Sequence, residues 1–326
     1  MPAKPSEEHV SQPILQVKSL RVVFDHPLGK VQAVDDVSFA LMPGERFGLA
    51  GESGSGKSTL ALAILRMIMP PGRISAGEVW LANRRLADLD EDGIRALRLA
   101  DIALVPQGSM NSLNPVLRIG QQIADAFADH RLHLGRGEAG RRVAALLTEV
   151  GLSEGVARMY PHELSGGMKQ RACIAVAICL RPKVIIADEP TSALDVVVQR
   201  QVMATLARVQ QDLGAAVILI GHDMGLMAQF VDRLGVMYAG RLVEVAPIGE
   251  IITSPRHPYT RALIAALPSL ERRGTLSGIP GLAPLLRELP PGCAFHPRCA
   301  QATDLCHIEK PMVRDIAGAQ VACHLA

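Results

Sequence analysis

The stretch Gly51-Glu-Ser-Gly-Ser-Gly-Lys57-Ser58 limits what this chain can fold into more than any other feature. It satisfies G-x-x-x-x-G-K-[ST] at every fixed position. Arg46-Phe-Gly-Leu-Ala50 before it reads as a short buried strand, and Thr59-Leu-Ala-Leu-Ala-Ile-Leu-Arg66 after it as a helix. Strand, glycine-rich turn and helix together aim backbone N–H groups and a helix N-terminus at phosphates. Gly54 and Gly56 let the backbone come close, Lys57 reaches the terminal phosphates, and Ser58 offers its hydroxyl to Mg²⁺. Gly51, Ser53, Ser55 and Thr59 belong to the same cradle. The alternative is a Gly/Ser turn that binds nothing, and the flanking strand and helix speak against it. The loop indicates a nucleotide, without saying what the nucleotide is for.

Bulk properties narrow the class. A chain of 326 residues holds one large domain or two ordinary ones, and 48% apolar residues suffice for a sizeable core. A net charge of +2 gives no reason to expect nucleic acid, and 3% aromatic content is poor material for base stacking. Met1 to Pro13 is polar, carries Glu7 and Glu8, and lacks the apolar core of a secretory signal. The apolar runs Ala172 to Leu180 and Ala215 to Ile220 are far too short to span a membrane. The expectation is a soluble, cytoplasmic chain that can still sit on a membrane protein. There, six cysteines are thiols or metal ligands, not disulfides.

Strand-like periodicity runs from Ile14 to Phe24 and from Val37 to Leu41, and Pro43-Gly44 turns the chain toward the phosphate loop. Gly77-Glu-Val-Trp-Leu81 reads as another strand, so a small antiparallel sheet is expected beside the core. Ile123, Phe127, Val143, Leu146, Leu147 and Val150 recur at helical spacing, within an inserted helical subdomain of about 108–180. Val184 to Ala187 and Val217 to Ile220 then return the chain to a parallel sheet. The expected class is α/β. Dense proline, glycine and cysteine from Pro268 to Cys323 mark a separate appendage, giving domains of 14–253 and 254–326.

Arg181-Pro-Lys-Val-Ile-Ile-Ala-Asp188-Glu189 is a buried strand ending in two carboxylates. Beside the phosphate-loop strand, Asp188 would hold Mg²⁺ through water, and Glu189 would polarise the water that attacks the γ-phosphate. Leu164-Ser165-Gly166-Gly167-Met168-Lys-Gln170-Arg171 opens a helix with Ser165 as N-cap, leaving glycine N–H donors at its positive end. On that segment alone, an ordinary capped helix is the simpler reading.

Gly51–Ser58, Gln107, Leu164–Gln170, Val184–Glu189, Ser192-Ala-Leu-Asp195 and His222, in this order, resemble the ATP-binding subunit of an ABC transporter over roughly Ile14 to Thr253. The resemblance implies that Ser165, Gly166 and Gly167 close on ATP held by another subunit's phosphate loop, in a head-to-tail pair. It makes Gln107 a contact of Mg²⁺ and of the membrane subunit, places Asp195 in a loop crossing the dimer, and gives His222 the γ-phosphate and its water. The family stacks adenine on an aromatic where Leu28 stands here, leaving Phe24 or His26 as substitutes.

His257-Pro258-Tyr259-Thr260-Arg261 and the tail beyond it are similar to the extension of dipeptide and oligopeptide importer ATPases, which nickel and some oligosaccharide importers share. Met168 and the stretch Gln107–Pro115, with Ser112-Leu-Asn-Pro115, resemble that branch too. It implies a partner ATPase of related but different sequence, two membrane permeases, an extracellular or periplasmic substrate-binding protein, and a place on the cytoplasmic face of the plasma (inner) membrane. Cys293, Cys299, Cys306 and Cys323, spaced C-x₅-C-x₆-C-x₁₆-C, match the ligand count of an iron–sulfur cluster or a structural zinc. The absence of a C-x₂-C pair counts against zinc, while His296, His307 and His324 keep a mixed zinc site open. The resemblance favours [4Fe–4S], and unliganded thiols are the third possibility. Cys173 and Cys179, on the apolar helix, read as small core residues. A soluble ABC ATPase acting on DNA or ribosomes would carry two cassettes or a long coiled-coil insertion, and a GTPase would carry N-K-x-D; neither appears.

Overall fold

The computed structural model describes residues 12–108, 112–267 and 278–326. Most of Met1–Pro13, the middle of Gln107–Pro115 and the first part of Pro268–Cys323 lie outside the described residues. Strands β1 (Leu15–His26) and β2 (Gly29–Leu41) form an antiparallel hairpin. β2 starts well before the expected Val37, because cross-strand pairing from Val31↔Phe24 to His26↔Gly29 holds a segment too polar to read as a strand. β3 (Arg46–Ala50) leads through the phosphate loop to α1 (Lys57–Ile64). β4 (Gly72–Leu81) and β5 (Arg84–Arg85) complete a four-stranded sheet in the order β2-β1-β4-β5.

After α2 (Glu91–Leu97) and β6 (Ile102–Val105) come the helices α3 (Ile119–Asp129), α4 (Arg136–Glu149) and α5 (Gly166–Ile178). Ile119, Ile123, Phe127, Val143, Leu147 and Val150 are buried in one cluster, as their helical spacing requires. β7 (Val184–Asp188), α6 (Val196–Leu213), β8 (Ala216–Ile220), α7 (Met224–Phe230), β9 (Arg233–Tyr238) and β10 (Arg241–Pro247) follow. The chain ends with α8 (Ile248–Thr253), α9 (Pro258–Ala265), α10 (Asp304–Ile308), β11 (Arg314–Ile316) and β12 (Ala319–Val321).

The main sheet runs β11-β12-β10-β9-β3-β8-β7-β6. Its parallel part carries near-continuous apolar runs, and β7 and β8 are buried at every position. Phe39 of β2 stacks on Phe47 of β3 with ring centroids 5.0 Å apart, joining the two sheets. The acidic strand does not lie directly beside the phosphate-loop strand: β8 stands between them. The register still levels their ends, with Leu49 opposite Ile220 and Ile220 opposite Asp188. The Gly221 N–H donates to the Leu49 carbonyl at 3.2 Å, and the Glu189 N–H to the Ile220 carbonyl at 2.9 Å. Three loops therefore leave one edge of the sheet, the carboxyl edge where open α/β sheets bind ligands.

The tail packs into this core. β12 pairs with β10 at Glu244↔Val321, and Tyr259, Phe295, Val321 and Cys323 join the same apolar cluster as the central strands. Among the described residues, no helix is long and apolar enough to cross a membrane.

Candidate active site

Gly51 and Gly56 make the turn between β3 and α1. Their φ angles are +147° and +102°, and a Cβ on either would stand 2.2 Å from a backbone oxygen, that of Met237 or of Ala33. Gly54 faces open space, leaving its side of the loop clear for a ligand. Lys57 is buried, and its Nζ donates to the Gly51 carbonyl at 2.8 Å, the Glu52 carbonyl at 2.9 Å and Ser55 Oγ at 3.3 Å. Burial lowers its pKa, and the carboxylates of Glu189, Asp188 and Glu52 oppose that shift. Ser53 lines the mouth of the site, and Ser58 and Thr59 stand half-buried in the first turn of α1.

Burial raises the Asp188 carboxyl, Ser58 hydrogen-bonds to it and pulls the other way, and Glu189 adds like-charge repulsion. Its Oδ1 is buried without a hydrogen-bond partner. A buried orphan carboxylate oxygen beside a serine hydroxyl is the donor set that a small hard cation completes, so these residues fit Mg²⁺. Glu189 Oε2 accepts a 2.8 Å hydrogen bond from Gln107 Nε2, and His222 Nδ1 stands 3.7 Å from Glu189 Oε1. Glu189 itself sits in the left-handed region with φ 44°, a strained conformation for a side-chain-bearing residue and one common at functional sites. Lys57, Gln107, Glu189 and His222 line one cavity of about 470 Å³ with Gly51, Glu52 and Ser53. Chemically this arrangement can cradle phosphate and take a cation, beside a carboxylate bonded by an amide and with an imidazole 3.7 Å away.

The remaining expected residues lie elsewhere. Ser165 caps α5, its Oγ accepting from the Met168 N–H at 3.4 Å, and Gly167 packs where a Cβ would meet Val198 Cγ1 at 2.4 Å. Asp195 caps α6 by accepting from the Val198 N–H at 3.0 Å. None of Ser165, Gly166, Gly167 or Asp195 lines the cavity. Of the adenine candidates, the Phe24 ring is packed where a Gly72 Cβ would fall, whereas His26 is exposed at the β1–β2 turn beside exposed Leu28.

The structure adds a contact set that no local pattern announces. Glu52 of the phosphate loop donates its N–H to Tyr259 Oη at 2.9 Å, and its carboxylate takes a two-pronged ion pair from Arg298 at 2.7 and 2.9 Å. The His-Pro-Tyr segment is fixed to the core: buried Glu244 accepts the N–H groups of Arg256 and His257, and His257 Nδ1 accepts that of Tyr259. Enclosure pushes the His257 pKa from 6.5 down to about 4, partly opposed by a hydrogen bond to the Ala322 backbone. The unfolded chain thus takes up a proton near pH 6.5 that the folded chain refuses until about 4. Stability from this group is full above about pH 7 and falls on acidification, by up to ~1.4 kcal/mol per pH unit. The melting temperature is expected to drop from pH 7 to 5, and His257→Gln to flatten that drop; parallel profiles would contradict it.

Among the described residues, no group of three or more His, Cys, Asp or Glu side chains is arranged to hold a metal ion. The four tail cysteines are nevertheless close enough for Cys293 to feel Cys306, Cys323 and Cys299 electrostatically, with burial the main reason its thiol pKa is raised. Three of the sulfurs accept backbone hydrogen bonds, Cys293 from Phe295, Cys299 from Gln301 and Cys323 from the Leu325 N–H, and Cys306 Sγ shares a 3.4 Å hydrogen bond with the Thr303 hydroxyl. Cys173 and Cys179 are buried in the core, and burial pushes both thiols to about 12.

Comparison with known proteins agrees with this geometry. Residues 34–192 match the family model described as ABC transporter, and residues 243–306 that described as oligopeptide/dipeptide transporter, C-terminal region. A putative peptide import ATP-binding protein of Brucella ovis is 43% identical over 320 residues, covering 94% of each chain. The oligopeptide transport ATP-binding protein OppD of Escherichia coli K12 is 40% identical, covering 98% of this chain and 95% of its own. The dipeptide transport ATP-binding protein DppD of the same organism is 42% identical, covering 95% and 96%. Among solved structures, the ATP-binding cassette MJ0796, a dimer in a post-hydrolysis state bound to ADP and Pi, superposes with a TM-score of 0.65. It is 28% identical and covers 72% of this chain and 98% of its own. This chain belongs to the ATP-binding proteins of ABC transporters, as an ATPase of the branch that carries the oligopeptide/dipeptide transporter C-terminal region.

Proposed function

We propose that this chain hydrolyses ATP to drive import of di- and oligopeptides through two membrane permeases fed by a substrate-binding protein. The observation that carries it is the convergence of Lys57, Asp188, Glu189, Gln107 and His222 on one sheet edge. Likeness to peptide-import ATP-binding proteins over nearly the whole chain supports the choice of substrate. The phosphates lie over the N–H groups from Ser53 to Thr59, and Lys57 turns from the loop carbonyls to the terminal phosphates. Ser58, Asp188 and Gln107 would hold Mg²⁺, which neutralises charge on the phosphate oxygens when bound. Glu189 orients a water and accepts its proton as the oxygen attacks the γ-phosphorus and the bond to the β-phosphate oxygen breaks, releasing ADP and phosphate. Gln107 and His222 fix the Glu189 carboxylate and the departing γ-phosphate.

Ser165, Gly166, Gly167 and Asp195 serve the partner ATPase's nucleotide, in a head-to-tail pair of related but different chains. Their absence from their own cavity supports this, as do the exposed Val196 and Val197 beside Asp195. The pair sits peripherally on the cytoplasmic face of the plasma (inner) membrane and uses no nucleic acid. Of Phe24 and His26, exposed His26 takes the adenine. Residues 14–253 form the nucleotide-binding unit, with its helical part at about 108–180, and residues 254–326 form the extension. Cys293, Cys299, Cys306 and Cys323 would supply four thiolates to a [4Fe–4S] cluster, a reading supported by the electrostatic coupling of Cys293 to the other three.

Cells lacking this chain are expected to take up a labelled tripeptide about tenfold more slowly, with rescue by the wild type but not by Lys57→Ala. Intact peptide uptake with lost nickel or oligosaccharide uptake would replace the substrate and keep the ATPase. Protein purified without oxygen is expected to carry about four iron and four sulfide per chain. One zinc, or no metal, would overturn the cluster.

A further inference from the structure

Glu52 occupies the first variable position of the phosphate loop, and both its main chain and its side chain are held by the C-terminal extension. Its N–H donates to Tyr259 Oη at 2.9 Å. Its two carboxylate oxygens take the guanidinium of Arg298 at 2.7 and 2.9 Å, and the Arg298 side chain is only 5% exposed. Arg298 is itself fixed from behind, donating to the Pro280 carbonyl at 2.8 Å and to Tyr238 Oη at 3.3 Å. Tyr259 is fully buried against Tyr238 and Phe295, so neither holder is a loose surface arm. A bidentate arginine on a loop anion fixes geometry as well as charge.

We propose that Arg298 and Tyr259 are positioning residues for ATP, acting through Glu52: the extension clasps the phosphate loop in its binding shape and neutralises the one carboxylate that the loop carries. This deepens the ATPase reading above and rests on it. With the Glu52 N–H held by Tyr259, the loop is fixed at its entry, ahead of the stretch that would face phosphate. With its carboxylate paired to Arg298, Glu52 does not compete with the phosphates for Lys57, whose ammonium feels Glu52 in this structure. Removing Arg298 alone leaves an unneutralised carboxylate beside the triphosphate position, which is worse than removing both charges together.

Equilibrium binding of a fluorescent ATP analogue to the full-length chain tests this, with KM and kcat for ATP measured in the assembled transporter. Arg298→Gln is expected to raise Kd about tenfold, with the loss falling on KM. The double variant Glu52→Gln/Arg298→Gln is expected to return to within about threefold of wild type, which a merely structural role for the ion pair does not explain. Arg298→Lys keeps the cation without the fork and guards against a folding failure of Arg298→Gln; about a threefold rise is expected. Tyr259→Phe, which leaves the Glu52 N–H without its acceptor, is expected to weaken binding by a few-fold. Wild-type affinity in Arg298→Gln or in Arg298→Lys, or a double variant whose loss is the product of the two single losses, would overturn the clasp. A wild-type chain that binds no ATP analogue at all would instead sink the nucleotide-site reading.

Discussion

Replacing Glu189 with glutamine is expected to lower ATP turnover by about a thousandfold while ATP still binds. Glutamine keeps the size of the side chain and can still meet Gln107, which now donates to Oε2 at 2.8 Å, but it cannot accept a proton from the attacking water. In the proposed mechanism the phosphates are held by other residues, chiefly Lys57 and the loop backbone, so affinity is expected to survive. Single-turnover hydrolysis and equilibrium ATP binding, measured on the same protein, separate the two effects. Turnover within about tenfold of wild type would mean that another group activates the water. Simultaneous loss of binding would mean that the carboxylate is structural.

Gly56→Ala is the second large effect. At φ +102° an alanine is strained, and its Cβ would lie 2.2 Å from the Ala33 carbonyl oxygen. That carbonyl cannot retreat. β2 is locked to β1 on one side, while the Asp35 N–H donates to the Gly240 carbonyl at 2.8 Å and the Gly240 N–H to that of Ser55 at 2.9 Å. The loop must therefore move, and with it the N–H groups proposed to face the phosphates. The strain alone amounts to roughly 1–3 kcal/mol, and ATP affinity is expected to fall about a hundredfold. Gly54→Ala has open space around it and is expected to cost less, so the pair of variants distinguishes steric from conformational demands. Equal losses in both would contradict the role given to Ala33.

Local sequence pattern made much of this site legible. Arg46–Ala50, the phosphate loop and the helix after it form one contiguous signature, and the strand ending in Asp188 and Glu189 announces itself by an apolar run stopped by charge. Strand order was not legible in the same way, because nothing in β8 says that it inserts between β3 and β7. The left-handed backbone at Glu189 was equally hidden, since such φ values ordinarily favour glycine. The first half of β2 was missed because hairpin register, not side-chain alternation, keeps it extended. Farthest from reach was the pair Glu52 and Arg298, which are 246 residues apart and embedded in motifs with other evident purposes. The four cysteines can be counted in the sequence, but the backbone hydrogen bonds to Cys293, Cys299 and Cys323 come from turns that spacing alone does not specify.

The most direct measurement is peptide uptake into proteoliposomes that hold this chain with the proposed partner ATPase and two permeases, with the substrate-binding protein outside and Mg-ATP enclosed. Labelled tripeptide is expected to accumulate inside against its gradient, only with ATP, and to stop when Glu189→Gln replaces the wild-type chain. ATP hydrolysis that proceeds without peptide accumulation, and at a rate indifferent to the peptide-loaded binding protein, would contradict ATP-driven peptide import.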